Sequence, residues 1–221
     1  MQYIYAPGCA LLSYKPHLAE KLKEFIVRRL GPMDTLLPCC FNSPALPPHT
    51  CVVTPCATCA EKYAKMNEDG LSLFFLSMLA ESEDFPFPDY GGISMSIQDT
   101  CSARKQPEVL QAIRRLLERM NIRLVEPEKT GARAKCCGQV FYGKLETEKV
   151  EAQMRKRAEE MPCEDVVVYC ASCIMSMTVG GKRPRYIIDL LFGEPTALAD
   201  GVNEWNQRLK EFRLCHLPKK V

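Results

Sequence analysis

The chain has 221 residues, 47% of them hydrophobic and 25% charged, which suits a globular protein with one sizeable α/β domain or two small ones. Its formal net charge is +2 and no basic run longer than Lys219-Lys220 stands alone, Arg155-Lys156-Arg157 being followed closely by Glu159-Glu160, so no electrostatic footprint for nucleic acid is expected. No apolar stretch spans a bilayer, and Met1-Gln-Tyr-Ile-Tyr5 lacks the basic region and apolar core of a secretory signal, so a cytoplasmic protein is expected.

In chain order, Gln2–Tyr5 reads as a short strand leading to Cys9. An amphipathic helix follows from Pro16 to Leu30, with Leu18, Leu22, Phe25, Ile26 and Leu30 on one face and proline in its first turn. Cys39-Cys40-Phe41 precedes a Pro-rich segment, 42–49, that cannot hold a full helix. The β-branched run Val52-Val53-Thr54 leads into Cys56-Ala-Thr-Cys59. Leu71–Ala80 reads as a buried helix, and Glu81–Gly92 as a linker. The plan then begins again. Ile93–Ile97 reads as a strand before Cys101, and Pro107–Met120 as a helix with Leu110, Ile113, Leu117 and Met120 inward. After Cys136-Cys137-Gly138, the charged segment Leu145–Met161 carries Val150, Met154, Ala158 and Met161 at helical spacing, its charges forming a solvated face. Val166-Val167-Val168 leads into Cys170-Ala-Ser-Cys173, and a tail helix is expected over Asn203–Phe212.

Ten of the thirteen cysteines thus fall into one pattern that occurs twice: a single cysteine, an adjacent pair and a Cys-x-x-Cys. The likeness extends past the cysteines, with Leu73 and Ile187 each 14 residues beyond the last one. This predicts a duplication. The expected fold is α/β: two pseudo-symmetric Rossmann-like halves, 1–90 and 91–221, with short parallel sheets flanked by helices. The first half lacks a helix, since 15 residues separate Cys40 from Cys56 where 32 separate Cys137 from Cys170. In such sheets ligands gather at the carboxyl ends of strands, so metal sites are expected there.

Five thiolates per copy exceed the four of a structural zinc site, and thiolate softness selects zinc, Cu(I) or iron–sulfur. A disulfide framework fits poorly with a long chain, an odd cysteine count and two adjacent pairs. Gly138 would let backbone come close to a bound group or take positive φ, which Phe41 at the matching position does less freely. Cys51, Cys163 and Cys215 stand outside the pattern as buried apolar residues, with Cys51 near enough in sequence to substitute at the first set. His17 reads as surface, His49 as a loop residue and His216 as tail, while Met175 and Met177 read as core. Gly91-Gly92 and Gly180-Gly181 lack the spacing of phosphate-binding loops.

Taken together, Cys…Cys-Cys-Gly…Cys-x-x-Cys in duplicate, Tyr5-Ala-Pro-Gly-Cys9, and Gln98-Asp-Thr-Cys101 with Arg104 resemble the cysteine-rich CCG domain of the heterodisulfide reductase B-type family, over about residues 1–194. The resemblance implies two noncubane [4Fe–4S] clusters. One would be held by Cys9, Cys39, Cys40, Cys56 and Cys59, the other by Cys101, Cys136, Cys137, Cys170 and Cys173 beside Gly138. It further implies that the second five act catalytically through their cluster, cleaving a low-molecular-weight disulfide by one-electron steps in a cleft between the halves. The chain lacks the cysteine run of cubane clusters, so electrons would come from a ferredoxin-like iron–sulfur polypeptide linked to a flavoprotein. Phe41 and the shortened middle depart from the pattern and leave zinc as a rival occupant of the first set. Two other functions compete: an electron-transfer component of a lactate- or glycolate-type oxidase, and a zinc-stabilised assembly module.

Overall fold

The two β-branched runs lie at the centres of two parallel sheets in the computed structural model, which describes residues 1–67 and 69–217. Lys219-Lys220 lies outside the described residues. The chain divides into two compact units, Met1–Phe75 with Asn206–Val221, and Leu76–Trp205.

The first unit contains β1 (Gln2–Tyr5), α1 (Cys9–Tyr14), α2 (Pro16–Leu30), β2 (Asp34–Thr35), β3 (Thr50–Thr54), α3 (Ala57–Met66) and β4 (Leu71–Phe74), after which α4 (Phe75–Ala80) begins. Its strands run parallel in the order β2-β1-β3-β4, with Ile4 opposite Val52 and Tyr5 opposite Val53. Every residue of β3 is buried, as expected of a strand covered on both faces. The predicted stripe of α2 buries Leu18, Leu22, Phe25 and Ile26, and Phe25 meets Phe75 edge-on at 6.1 Å.

The second unit repeats the plan: β5 (Ser94–Gln98), α5 (Pro107–Arg119), β6 (Arg123–Leu124), α6 (Thr147–Glu159), β7 (Asp165–Val168), α7 (Ala171–Val179), β8 (Arg183–Tyr186) and α8 (Ile187–Leu191). The strand order is β6-β5-β7-β8, again parallel, and β7 is wholly buried. The charged helix α6 is the element without a counterpart in the first unit. It buries Val150, Met154 and Ala158, and crosses α7 so closely that a Cβ on Gly180 would lie 2.2 Å from that of Ala158. The tail helix, α9, runs from Val202 to Cys215.

Two expectations need correction. Leu71–Ala80 is not one helix: its first four residues pair with β3, from Cys51↔Leu71 to Thr54↔Phe74, and only then does α4 begin. A short apolar run fits either state by periodicity, and the free edge of β3 settles it. Leu73 and Ile187 are not equivalent either, since Leu73 is in β4 and Ile187 opens α8. The matching strand ends are Phe74 and Tyr186, which follow the last cysteine by 15 and 13 residues.

Past the end of β5, Asp99 has no exposed surface. Its carboxylate accepts from Arg114 Nη2 at 2.8 Å and Nη1 at 3.1 Å, Tyr169 Oη at 2.9 Å, Thr130 Oγ1 at 3.0 Å and the Gly131 amide at 2.7 Å. Burial works against the charge, yet Arg114 and the other donors hold the carboxyl below the usual range. The adjacent Gln98 donates to the Lys135 carbonyl at 3.0 Å and accepts from the buried Arg157 Nε at 2.6 Å. Asp99→Asn leaves Arg114 without its buried charge partner. We expect a loss of about 3 kcal/mol, read as a lower urea midpoint of the metal-free protein; an unchanged midpoint would show that the network is not what holds this unit.

Candidate metal centre

Each sheet has a point where the chain leaves in opposite directions, between β1 and β3 in the first unit and between β5 and β7 in the second. Ligands in open parallel sheets bind beyond the carboxyl ends of strands at this point. Cys9 opens α1 after β1, and Cys56 is the N-cap of α3 after β3. Cys101 opens a short 3₁₀ turn after β5, and Cys170 is the N-cap of α7 after β7. Neither α3 nor α7 has a side-chain oxygen cap. The Cys173 amide bonds the Cys170 carbonyl at 2.8 Å, and the start of α7, through the Ser172 and Cys173 amides, favours the Cys170 thiolate.

The five sulfurs of the second set form one hydrogen-bonded group. Cys101 and Cys137 both hydrogen-bond Cys136 and, with the Val140 and Gly138 amides, hold its thiol down to about 2. Cys137, bonded to Cys136, is pushed up to about 12. The Cys173 hydrogen bond brings Cys170 down to about 7, whereas Cys173 itself is pushed well up by its bonds to Cys137 and Cys170. Cys101 is likewise raised, first by its bond to Cys136. Without a metal, negative charge is thus favoured at Cys136 and disfavoured at Cys101, Cys137 and Cys173. Ser176 Oγ donates to Cys137 Sγ at 3.3 Å, and the Thr100 hydroxyl reaches Cys170. Cys137 and Cys173 are buried and Cys136 and Cys170 half-buried, but Cys101 is exposed.

The first set is also one group, and it is more closed. Cys9 and Cys39 are hydrogen-bonded with sulfurs 3.3 Å apart, and Cys40 and Cys59 at 3.5 Å. Cys39 and Cys59 lower Cys40 to about 5, and Cys56 joins through Cys59. Cys9 is pushed up, first by its bond to Cys39 and then by burial. Four of these five are buried and Cys56 is half-buried. Their surroundings are apolar: Ala6, Val52 and Tyr63, with Leu36, Leu46, Met66 and Phe212 against them. Gly8, at φ +86°, presses its backbone on this group, where a Cβ would stand 3.4 Å from Cys59 Sγ.

The two adjacent-pair turns differ in backbone. Gly138 has φ +105°, a conformation that favours glycine. Phe41 lies within the right-handed 3₁₀ turn Cys40–Asn42, where any residue fits. What crowds Gly138 is Met154 of α6, 2.6 Å from a built Cβ, and not a sulfur. The glycine thus serves the packing of the extra helix, which the first unit lacks.

The remaining cysteines stay apart from both groups. Cys51 sits at the start of β3, about 16 Å along the strand from Cys56 at about 3.3 Å per residue, so it is no substitute ligand. Cys163 precedes β7, its amide bound to Ser96 Oγ at 2.8 Å, and Cys215 ends α9 exposed. His17 and His49 are exposed, and His216 stacks on Phe212 at 4.1 Å. Sequence reasoning missed Gly8, Ser176 and Arg213. Gly8 directly precedes Cys9, and Ser176 is one helical turn past Cys173, so both had a local signal. Arg213, whose guanidinium faces Cys9 and Cys39, lies 154 residues beyond Cys59 and had none.

Among the described residues no three His, Cys, Asp or Glu side chains surround a single ion position. The sulfur contacts of 3.3 and 3.5 Å are shorter than the roughly 3.8 Å between thiolates on tetrahedral zinc at about 2.3 Å bonds. An all-sulfur donor set of five, gathered at one strand edge, fits a thiolate-held metal or iron–sulfur centre.

No curated protein matches the chain. Residues 95–178 match the family model of the CCG cysteine-rich domain, a span that includes all five cysteines of the second set and none of the first. Within the second unit, residues 95–178 are thus similar to the CCG cysteine-rich domain.

Proposed function

We propose that the chain is the iron–sulfur thiol–disulfide oxidoreductase component of a heterodisulfide reductase, of the B type, and that the second cysteine set is where a small disulfide reacts. The observation that carries this is the exposure of Cys101 in an otherwise sheltered five-sulfur group. A reacting disulfide needs one open approach to the centre, and structural metal sites are closed. Cys101, Cys136, Cys137, Cys170 and Cys173 would hold a noncubane [4Fe–4S] cluster, which supplies electrons one at a time. The protein's own part is positional. Asp99 and Gln98 fix the segments that carry Cys101, Cys136 and Cys170. Ser176 and Thr100 orient the Cys137 and Cys170 sulfurs. The net change takes up two electrons and two protons and releases two thiols. The electrons come from a separate iron–sulfur polypeptide, since this chain carries no cubane-cluster motif.

The closure of the first set supports a different duty there. Closed thiolate sites hold metal without meeting substrate, so a cluster that stores charge and a structural zinc both suit Cys9, Cys39, Cys40, Cys56 and Cys59.

With an artificial low-potential reductant under anaerobic conditions, Cys101→Ser and Cys137→Ser should each lower disulfide cleavage by about 100-fold or more, as loss of a ligand exceeds the cost of losing its supports. Full activity of either variant would sink the proposal.

Loading should also depend on pH. Cys101, Cys137 and Cys173 carry raised values and are protonated near neutrality, so a metal must displace about three protons from the second set. Apparent affinity of the metal-free protein for Zn²⁺ should therefore rise by more than about tenfold from pH 6.5 to 7.5, with protons released in calorimetry. A pH-independent affinity would mean that these thiols are not ligands.

A further inference from the structure

The first motif looks degenerate because phenylalanine replaces glycine, yet its four consecutive residues Cys39-Cys40-Phe41-Asn42 all engage one surface. Asn42 Nδ2 donates to the Arg213 carbonyl at 3.3 Å, which ties down the end of α9. The Arg213 guanidinium lies 5.1 Å from the centre of the Phe41 ring and hydrogen-bonds both Cys9 and Cys39. Its Nε is buried with no hydrogen-bond partner. Lys62 stands over the same ring at 4.1 Å. Phe212 packs on the apolar group that contains Cys9, Cys39, Cys40 and Cys59. An aromatic face is a favourable seat for a guanidinium, and a cation beside buried thiolates offsets the cost of their charge.

We propose that Arg213, seated on Phe41, is the counter-charge and lid of the first cysteine set, and that phenylalanine at position 41 is there to carry this cation. Arg213 is a positioning residue: it touches the sulfurs, not a substrate. The inference rests on the reading that the first set holds a metal or cluster. A lidded set is one from which charge and metal leave slowly, while the second set, with Cys101 exposed, stays open.

The geometry is tested on the metal-free protein. By NMR, the Arg213 side-chain protons should be displaced by the Phe41 ring current, and Phe41→Ala should return them to ordinary positions. Arg213 signals at ordinary positions in the wild type would overturn the proposal. The electrostatic role is tested on the loaded protein, using the signal that Cys9→Ser abolishes. Removing a positive charge favours the oxidised state, so Arg213→Gln should lower the preference for the reduced state about tenfold, about 59 mV for one electron. Arg213→Lys, which keeps the charge, should restore most of it. Should the first set carry zinc, Arg213→Gln should speed its release to a chelator about tenfold, in line with the cost of losing a ligand's support. Unchanged potential, or unchanged release, in a folded Arg213→Gln variant would overturn the role. Ring-shifted Arg213 signals in a wild type that binds neither iron nor zinc at the first set would uphold the lid and refute the metal reading of that set.

Discussion

A carboxylate with no exposed surface is costly unless donors surround it, and Asp99 has five hydrogen bonds from four residues. Those donors come from separate stretches of the second unit, so satisfying one charge draws them together. Tyr169 directly precedes Cys170, and Thr130 and Gly131 lie on the approach to Cys136, whose neighbour Lys135 is tied to Gln98. Cys101 is itself two residues past Asp99. The cysteine set is thus an outcome of a polar network behind it, and the network exists because a parallel sheet brings the ends of β5 and β7 side by side.

The first unit reaches a similar arrangement by other means. Where the second has Asp99, two residues before the cysteine, the first has Pro7. Its group is held by apolar packing and by Tyr63, whose hydroxyl donates to the Pro38 carbonyl at 3.4 Å just before Cys39. Charge compensation comes from Arg213, far away in the chain. One topology therefore supports an open set with a polar backing and a closed set with an apolar one. Under the proposed function, that division of exposure would separate a site that meets a disulfide from one that holds charge.

Much of this is legible in the sequence. The helix boundaries of α2 follow from its apolar spacing and leading proline, and the buried central strands from two β-branched runs. The missing helix of the first unit is visible as a difference in spacing. Leu71–Ala80 misleads because a short apolar run has no periodicity of its own; strand pairing to β3 decides it. Gly138 reads rightly as a positive-φ position, while its close contact with Met154 is not legible because it arises only after α6 has packed. Arg213 is invisible because its meaning comes wholly from a long-range contact, and Phe41 reads as a defect for the same reason.

Ten cysteines forming two thiolate centres, of which the second is redox-active, is the central claim. Its most direct test is iron, zinc and acid-labile sulfide per chain in anaerobically purified protein. The expected result is sulfide with about eight irons, or about four irons and one zinc if the closed first set is structural. Zinc without sulfide would contradict the claim and leave a cysteine-rich scaffold with no redox centre.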